Sequence, residues 1–543
     1  MNNKLTPSEI AAICLGKTPI QNHVLEHPQL SRIIYGIPQI NYEAIKTEEM
    51  ILHDDENKLK RFDKNGKETM ESPNVTPAEK SVYLTRLVKY AAETAGYDII
   101  FMDGWPYYYN GCFWEQIPEK IVEEFLCLAA YKTGLYYSLV TTFSFKKRLY
   151  TQFISDFPKP EDDEIMSKDK ILVNLKNGTL EFNGDEFEFR DFRKEDYIRY
   201  QLDYVYDPNA TSPMFDKFLD EVLPEKAAQD VLMEMIGYCF IPTQRMKLER
   251  SLLLYGPGAN GKGVVYDIVS AIIGDEHITG FSMEALSNDP NARAQLKDKL
   301  LNYATELDGK CKPDMIKKLI SGEPVHIKTL YKDVTMMKNY PCKFIFNTNN
   351  LPRGAENTKA FFRRWLILPF NTIIPPEKKD IHLSKKLKDE LPGIFNRVVA
   401  GIQRLIRNED FTESKLAAQM LEEYKEQSNS VLRFIKDENW VSTVPKNSTE
   451  RISSIVPHVP LSKFYESYKA YCIESGCNPS SNLDFGKKIK DHFLVQRGCT
   501  NNETWVFARQ ELNVSQTSAD LSVDSSDDII NQVITDSNEK FKS

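Results

Sequence analysis

The eight residues Gly256-Pro-Gly-Ala-Asn-Gly-Lys-Gly263 constrain this chain more than any other stretch. They follow the apolar run Leu252 to Tyr255 and precede a segment in which Val264, Ile268 and Ile272 share one helical face. A strand that feeds a glycine-rich loop into a helix gathers backbone N–H groups, the positive helix end and a lysine ammonium at one spot, as a triphosphate requires. Gly256, Pro257, Gly258, Ala259, Asn260, Gly261, Lys262, Gly263 and Val264 are therefore the candidate nucleotide-binding residues. The spacing is that of the G-x-x-x-x-G-K cradle, with one departure. The Ser or Thr hydroxyl that usually follows the lysine and reaches Mg²⁺ is replaced by Gly263. Metal is expected to rest on phosphate oxygens, water and a carboxylate from elsewhere, and to bind more weakly.

Hydrolysis needs such a carboxylate on a neighbouring strand, to hold Mg²⁺ and polarise water. "DKLLNYATELDG" supplies an apolar strand, Leu300 to Ala304, and Glu306 is the first acid beyond it. Asp308 is a second candidate, or a solvated loop acid. Another strand, Phe344 to Phe346, ends in Thr348-Asn349, where an amide can sense a γ-phosphate or simply form a turn. Arg363 and Arg364 precede a further apolar strand; such a pair is ordinarily a solvated edge, but in a ring either can reach a neighbour's phosphate.

The rest of the chain sets these strands in context. Its 543 residues call for several domains, and 41% hydrophobic with 27% charged residues is a globular composition. No signal peptide or membrane-spanning run is evident, which points to the cytosol. Nine scattered cysteines without a C-x-x-C pair suggest neither a disulfide framework nor a zinc site. A net charge of −9 excludes wholesale coating of nucleic acid and leaves room for a locally basic channel.

Residues 1–80 read as a small, partly flexible segment without sustained periodicity, and 81–212 as an α+β domain. Within the latter, Asn110-Gly111, Asn177-Gly178 and Asn183-Gly184 mark hairpin turns. The aromatics around Asn110 are core residues or base-stacking groups. Residues 213–410 alternate strands and helices as a nucleotide-binding core does. Two helices and a hairpin within 430–510 suit a small winged-helix module, and 511–543 is a Ser/Asp-rich tail expected to be disordered.

In that order and spacing, "GPGANGKG", "KLLNYATEL", "KKLISGEPVHIKTLYKD", "FNTNNLPR", "FFRRWLILPF" and "ELPGIFNRVVAGIQRL" resemble superfamily 3 helicases. More closely they resemble the helicase half of the phage and plasmid primase-helicase family, to which poxvirus-type replicative NTPases are also similar. The resemblance implies an α/β fold with an AAA+ type P-loop core, ATP and Mg²⁺ as cofactors, and a ring, expected to be a hexamer, moving 3' to 5' on single-stranded DNA at replication forks. It assigns Lys262 to phosphate, Glu306 to Mg²⁺ and water, Asn349 to γ-phosphate sensing and Arg363 or Arg364 to an arginine finger. It also implies a channel hairpin with Tyr331 and Lys332 near its tip and Lys328 close by, groups otherwise read as an exposed turn. Relatives carry a primase domain; Asp54 and Asp55 lie in a charged stretch without supporting strands, so no primer synthesis is expected and a separate primase or polymerase is implied. The rival readings are a DNA-stimulated NTPase that loads or remodels, and a DNA-binding initiator scaffold.

Overall fold

A computed structural model describes residues 27–53, 55–102, 104–157, 170–305, 312–329, 333–349, 359–449, 452–477, 479–497 and 503–511. The chain divides into two compact units, residues 1–350 with 364–418, and residues 351–363 with 419–543.

The first unit is built around five parallel strands, numbered here in chain order: β1 (Ser251–Tyr255), β2 (Ile278–Thr279), β3 (Leu301–Ala304), β4 (Lys343–Thr348) and β5 (Trp365–Pro369). Their spatial order is β2-β3-β4-β1-β5. Covered on both faces, β1, β3 and β4 are buried along nearly their whole length rather than on alternate residues. Pairing of Tyr255 with Thr348 and with Pro369, and of Ala304 with Phe346, brings the carboxyl ends to one edge. Helix α1 (Lys262–Ile273) follows β1, and α2 (Pro313–Ile320) precedes the antiparallel hairpin Val325–Ile327 with Thr335–Met337.

The helices Lys226–Tyr238 and Leu391–Asn408 pack against each other through glycine. A Cβ on Gly401 would lie 2.9 Å from the Met233 carbonyl oxygen. Fully buried Glu234 accepts from Arg404 Nε at 2.9 Å and from the Thr412 amide at 2.8 Å. Helix starts are closed from a distance: Glu390 accepts from the amides of Met214 and Phe215 at the Pro213–Val222 helix, and Glu225 from Lys415 and Leu416 at the Lys415–Ser428 helix. A carboxylate there satisfies orphan N–H groups and meets the positive helix end.

The expected turns at Asn177-Gly178 and Asn183-Gly184 connect the antiparallel strands Ile171–Leu175, Gly178–Asn183 and Glu186–Arg190. Ile171, Val173, Leu180 and Leu202 share one core with Phe215, Leu232 and Leu252. Asn110-Gly111 likewise joins two strands, and Tyr107, Tyr108 and Trp114 are buried, so these aromatics are core residues, not a stacking platform.

Residues 28–52 are more ordered than their polarity suggested. They form the helices Pro28–Gly36 and Tyr42–Leu52, whose Leu30, Ile33, Ile34 and Tyr42 enter a core with Leu84, Val88 and Phe125. The i, i+3, i+4 spacing of Leu30, Ile33 and Ile34 carried that signal over too short a run to stand out. The neighbouring Pro77–Thr94 helix begins with a capping box between Thr76 and Glu79.

In the second unit the helices Ser430–Asp437, Leu461–Glu474 and Asn482–Ile489 enclose Phe434, Phe464, Tyr468 and Phe485, beside a small antiparallel sheet that includes Val495–Arg497 and Thr504–Val506. The expected disordered tail, from residue 512 on, lies outside the described residues. Among the described residues no helix is long and apolar enough to cross a membrane.

Gly401→Ala is expected to lower stability by about 1–3 kcal/mol, because overpacking against the Met233 backbone outweighs the gain in helix propensity. A fall in the thermal midpoint of the full chain checks it.

Candidate active site

At the carboxyl edge of the sheet, β1 hands the chain to the loop Gly256–Gly261, and α1 begins at Lys262. Backbone geometry explains the glycines. Gly256 has φ 153° and a Cβ there would sit 2.3 Å from the Phe370 carbonyl oxygen; Gly261 has φ 89° and a Cβ would meet Val222 at 2.9 Å. Ala259 also holds a positive φ, 60°. The segment after β5 fastens the loop: Phe370 N donates to Tyr255 O at 2.7 Å, Asn260 Nδ2 to Phe370 O at 2.7 Å, and Ile374 N to Ala259 O at 2.9 Å.

Lys262 is buried, and its Nζ lies 2.6 Å from Gly256 O, 3.0 Å from Pro257 O, 3.2 Å from Asn260 Oδ1 and 3.3 Å from Asn349 Oδ1. Burial holds its ammonium below the ordinary lysine range. Four neutral oxygens now occupy the ammonium, and an incoming phosphate would supply the full negative charge it lacks.

Above the loop opens a cleft of about 820 Å³. The candidates Gly258 to Val264 and Asn349 line it together. Sequence reasoning missed the other walls. Phe218 and Glu221 come from the Pro213–Val222 helix, Thr372 to Pro375 and Leu383 from beyond β5, and Thr305, Asn347 and Thr348 from the strand ends. Asn347 is two residues from Asn349 on the same strand side, and its Oδ1 accepts from buried Tyr303 at 3.0 Å, which fixes its amide. Strand alternation at the end of β4 was the signal for it. The helix and post-β5 walls left no local signal, since long-range packing brings them in.

Glu306 and Asp308 fall outside the described residues, immediately beyond Thr305 at the end of β3. Tyr331 and Lys332 also lie outside them, in the connection of the hairpin Val325–Ile327 with Thr335–Met337; Lys328 is exposed just past its first strand. The two arginines separate. Arg364 is buried at the amino end of β5, on the edge away from the cleft, with its guanidinium 2.8 Å from Ser321 Oγ and 3.2 Å from Glu249 Oε2. Arg363 is exposed.

Three family descriptions match the chain. "D5 N terminal like" covers residues 85–224, a family of unknown function, DUF5906, covers 254–364, and "Poxvirus D5 protein-like" covers 426–531. Among solved structures, the apo C-terminal region of NrS-1 (its residues 305–718) aligns at TM-score 0.43 and 12% identity over 79% of this chain and 99% of that one. An A-form apo structure of the NrS-1 C-terminal region aligns at TM-score 0.41 and 13% identity over 80% of this chain and 100% of that one.

A Cβ on Gly263 meets nothing within 4 Å, so a hydroxyl fits where the cradle normally has one. Gly263→Ser is expected to lower the Mg²⁺ concentration that half-saturates nucleotide hydrolysis several-fold; titration of the wild type and variant with Mg²⁺ at fixed ATP checks it, and identical curves would show that the missing hydroxyl is of no consequence.

Proposed function

We propose that the chain, whose residues 85–224 and 426–531 match D5-type families, is an ATP-driven ring helicase of the phage and viral superfamily 3 type, a hexamer on the family pattern. It moves 3' to 5' along single-stranded DNA during replication. The observation that carries this reading is the meeting of Lys262 and Asn349 in the crevice between β1 and β4, 3.3 Å apart over an open phosphate loop. The placement suits a P-loop ATPase core of the AAA+ type, with the loop strand central and β3, which leads to Glu306, one strand further out.

In the proposed cycle the loop amides and Lys262 bind the β- and γ-phosphates. Asn349 reports the γ-phosphate, and Glu306 orients water for in-line attack. The donors suit a hard cation, since Thr305 and Thr348 bring hydroxyls to the cleft and Glu306 follows Thr305 in the chain. Bound there, Mg²⁺ would neutralise charge building on the phosphates. Arg363, exposed, is the finger that reaches a neighbouring protomer. Arg364 is committed to Ser321 and Glu249 inside its own subunit and acts structurally. The hairpin bearing Lys328, Tyr331 and Lys332 grips the strand through phosphate contact and stacking. The region of residues 430–510, with its helices and antiparallel strands, acts as a winged-helix-like DNA-binding module.

Lys262→Ala is expected to cut ATP hydrolysis and strand displacement from 3'-tailed substrates by about 10²-fold or more, with DNA binding retained. Arg363→Ala is expected to be as inactive alone, yet to regain hydrolysis when mixed with Lys262→Ala, because a mixed seam pairs one intact loop with one intact finger. Full ATPase activity of a monomer without any ring would sink the proposal, as would ATP hydrolysis with no displacement of either tailed fork.

A further inference from the structure

A second surface carries a signature of its own. Between Glu124 and Asp156 the chain has no acidic residue and carries Lys132, Lys146, Lys147 and Arg148, in a protein of net charge −9. The same stretch leaves large rings in water: Tyr136 is 82% exposed, Phe143 80% and Tyr131 52%. Local structure groups these residues. The Glu119–Lys132 helix ends at Tyr131 and Lys132, one helical turn follows at Tyr137–Val140, and Phe143 opens the Phe143–Asp156 helix. Tyr131 and Tyr137 meet edge to face at 6.1 Å. Lys146 and Lys147 lie three and four positions after Phe143, so ring and cations share one helix face, while Phe145, Leu149 and Phe153 are buried in the core. Among the described residues, no ion pair engages Lys146, Lys147 or Arg148.

Burial would be the default for such rings. Here the exposed rings alternate along the chain with cations and hydroxyls, whereas the core of a self-association face is depleted in charge. Rings that offer a flat apolar face beside positive charge match alternating bases and phosphates. We infer that the corner formed by residues 131–148 is a docking surface for single-stranded DNA, distinct from the channel hairpin. The choice of DNA rests on the helicase reading above; the surface itself does not.

The test uses the full chain without nucleotide. Binding of a fluorescent oligo(dT) is measured by anisotropy across a salt series, and an iododeoxyuridine oligonucleotide is photocrosslinked and mapped. Tyr136→Ala with Phe143→Ala is expected to weaken binding about tenfold at an unchanged salt slope. Lys146→Ala with Lys147→Ala is expected to reduce the slope by about 1.4, from roughly 0.7 per phosphate contact on a single strand. Crosslinks should map to residues 131–148, and should persist in Lys262→Ala and Lys328→Ala proteins. Unchanged affinity in both double variants, with no crosslink on this segment, overturns the inference. So does a variant that alters the oligomer mass while leaving affinity intact, which would assign the face to a second copy. Failure of the helicase reading is distinguishable, since it abolishes strand displacement and leaves these crosslinks in place.

Discussion

Everything at the cleft depends on how the glycine-rich loop is fastened to chain more than a hundred residues away. Phe370 takes the Asn260 amide on its carbonyl and gives its own N–H to Tyr255, and Ile374 gives its N–H to Ala259. Gly256 must come so close to Phe370 that no side chain fits between them. The fastening is also the wall, because Thr372 to Pro375 leave that contact to line the cleft. Loop shape and the enclosure of the cleft are therefore set by one piece of chain. A change at Asn260 alters both, and the loop's positive-φ residues are kept because the fastening over-determines them.

Support for this loop runs outward through a short series of dependent contacts. Phe218 and Val222 lie against Gly261, so the Pro213–Val222 helix is the floor of the loop. That helix has no side-chain cap of its own; Glu390 closes its start, from the turn that leads into the Leu391–Asn408 helix. The latter is seated by Gly401 against Met233 and by Arg404 on Glu234. An unpaired Glu234 would be costly at zero exposure, which explains why one arginine and the Thr412 amide converge on it.

The legible part of the sequence was the part whose causes are local. A glycine-rich loop between an apolar strand and an amphipathic helix needs no distant partner to be recognised, nor do Asn-Gly turns. Asn349 was readable for the same reason, as the polar tip of an apolar strand. The two arginines show where reading stops. As adjacent residues of one type they are equivalent on paper; Ser321 and Glu249, 43 and 115 positions away, make them different. The small sheet before residue 212 hides its packing in the same way. Its strands alternate as a small antiparallel sheet should, but nothing local says that Leu202 is buried with Leu252 rather than apart from it. The helix at Pro28–Gly36 was missed because nine residues are too few for periodicity to rise above a charged neighbourhood.

Two lysines at opposite edges of one sheet show why a perturbed charge is not by itself a site. Lys343 opens β4 at the amino edge, is 5% exposed, and burial pulls it down to about 8. Lys262 is also held down by burial, at the carboxyl edge. What separates them is the exchangeability of their partners. Lys343 donates to Thr243 Oγ1 at 2.8 Å and stands 4.5 Å from the centre of the Tyr238 ring, a closed environment that a ligand cannot displace without opening the core. Lys262 is held by carbonyl and amide oxygens at the mouth of an open cleft, each of which a phosphate oxygen can replace while adding charge. The same desolvation therefore falls on a closed contact at the amino edge of the sheet and on an exchangeable one at the carboxyl edge.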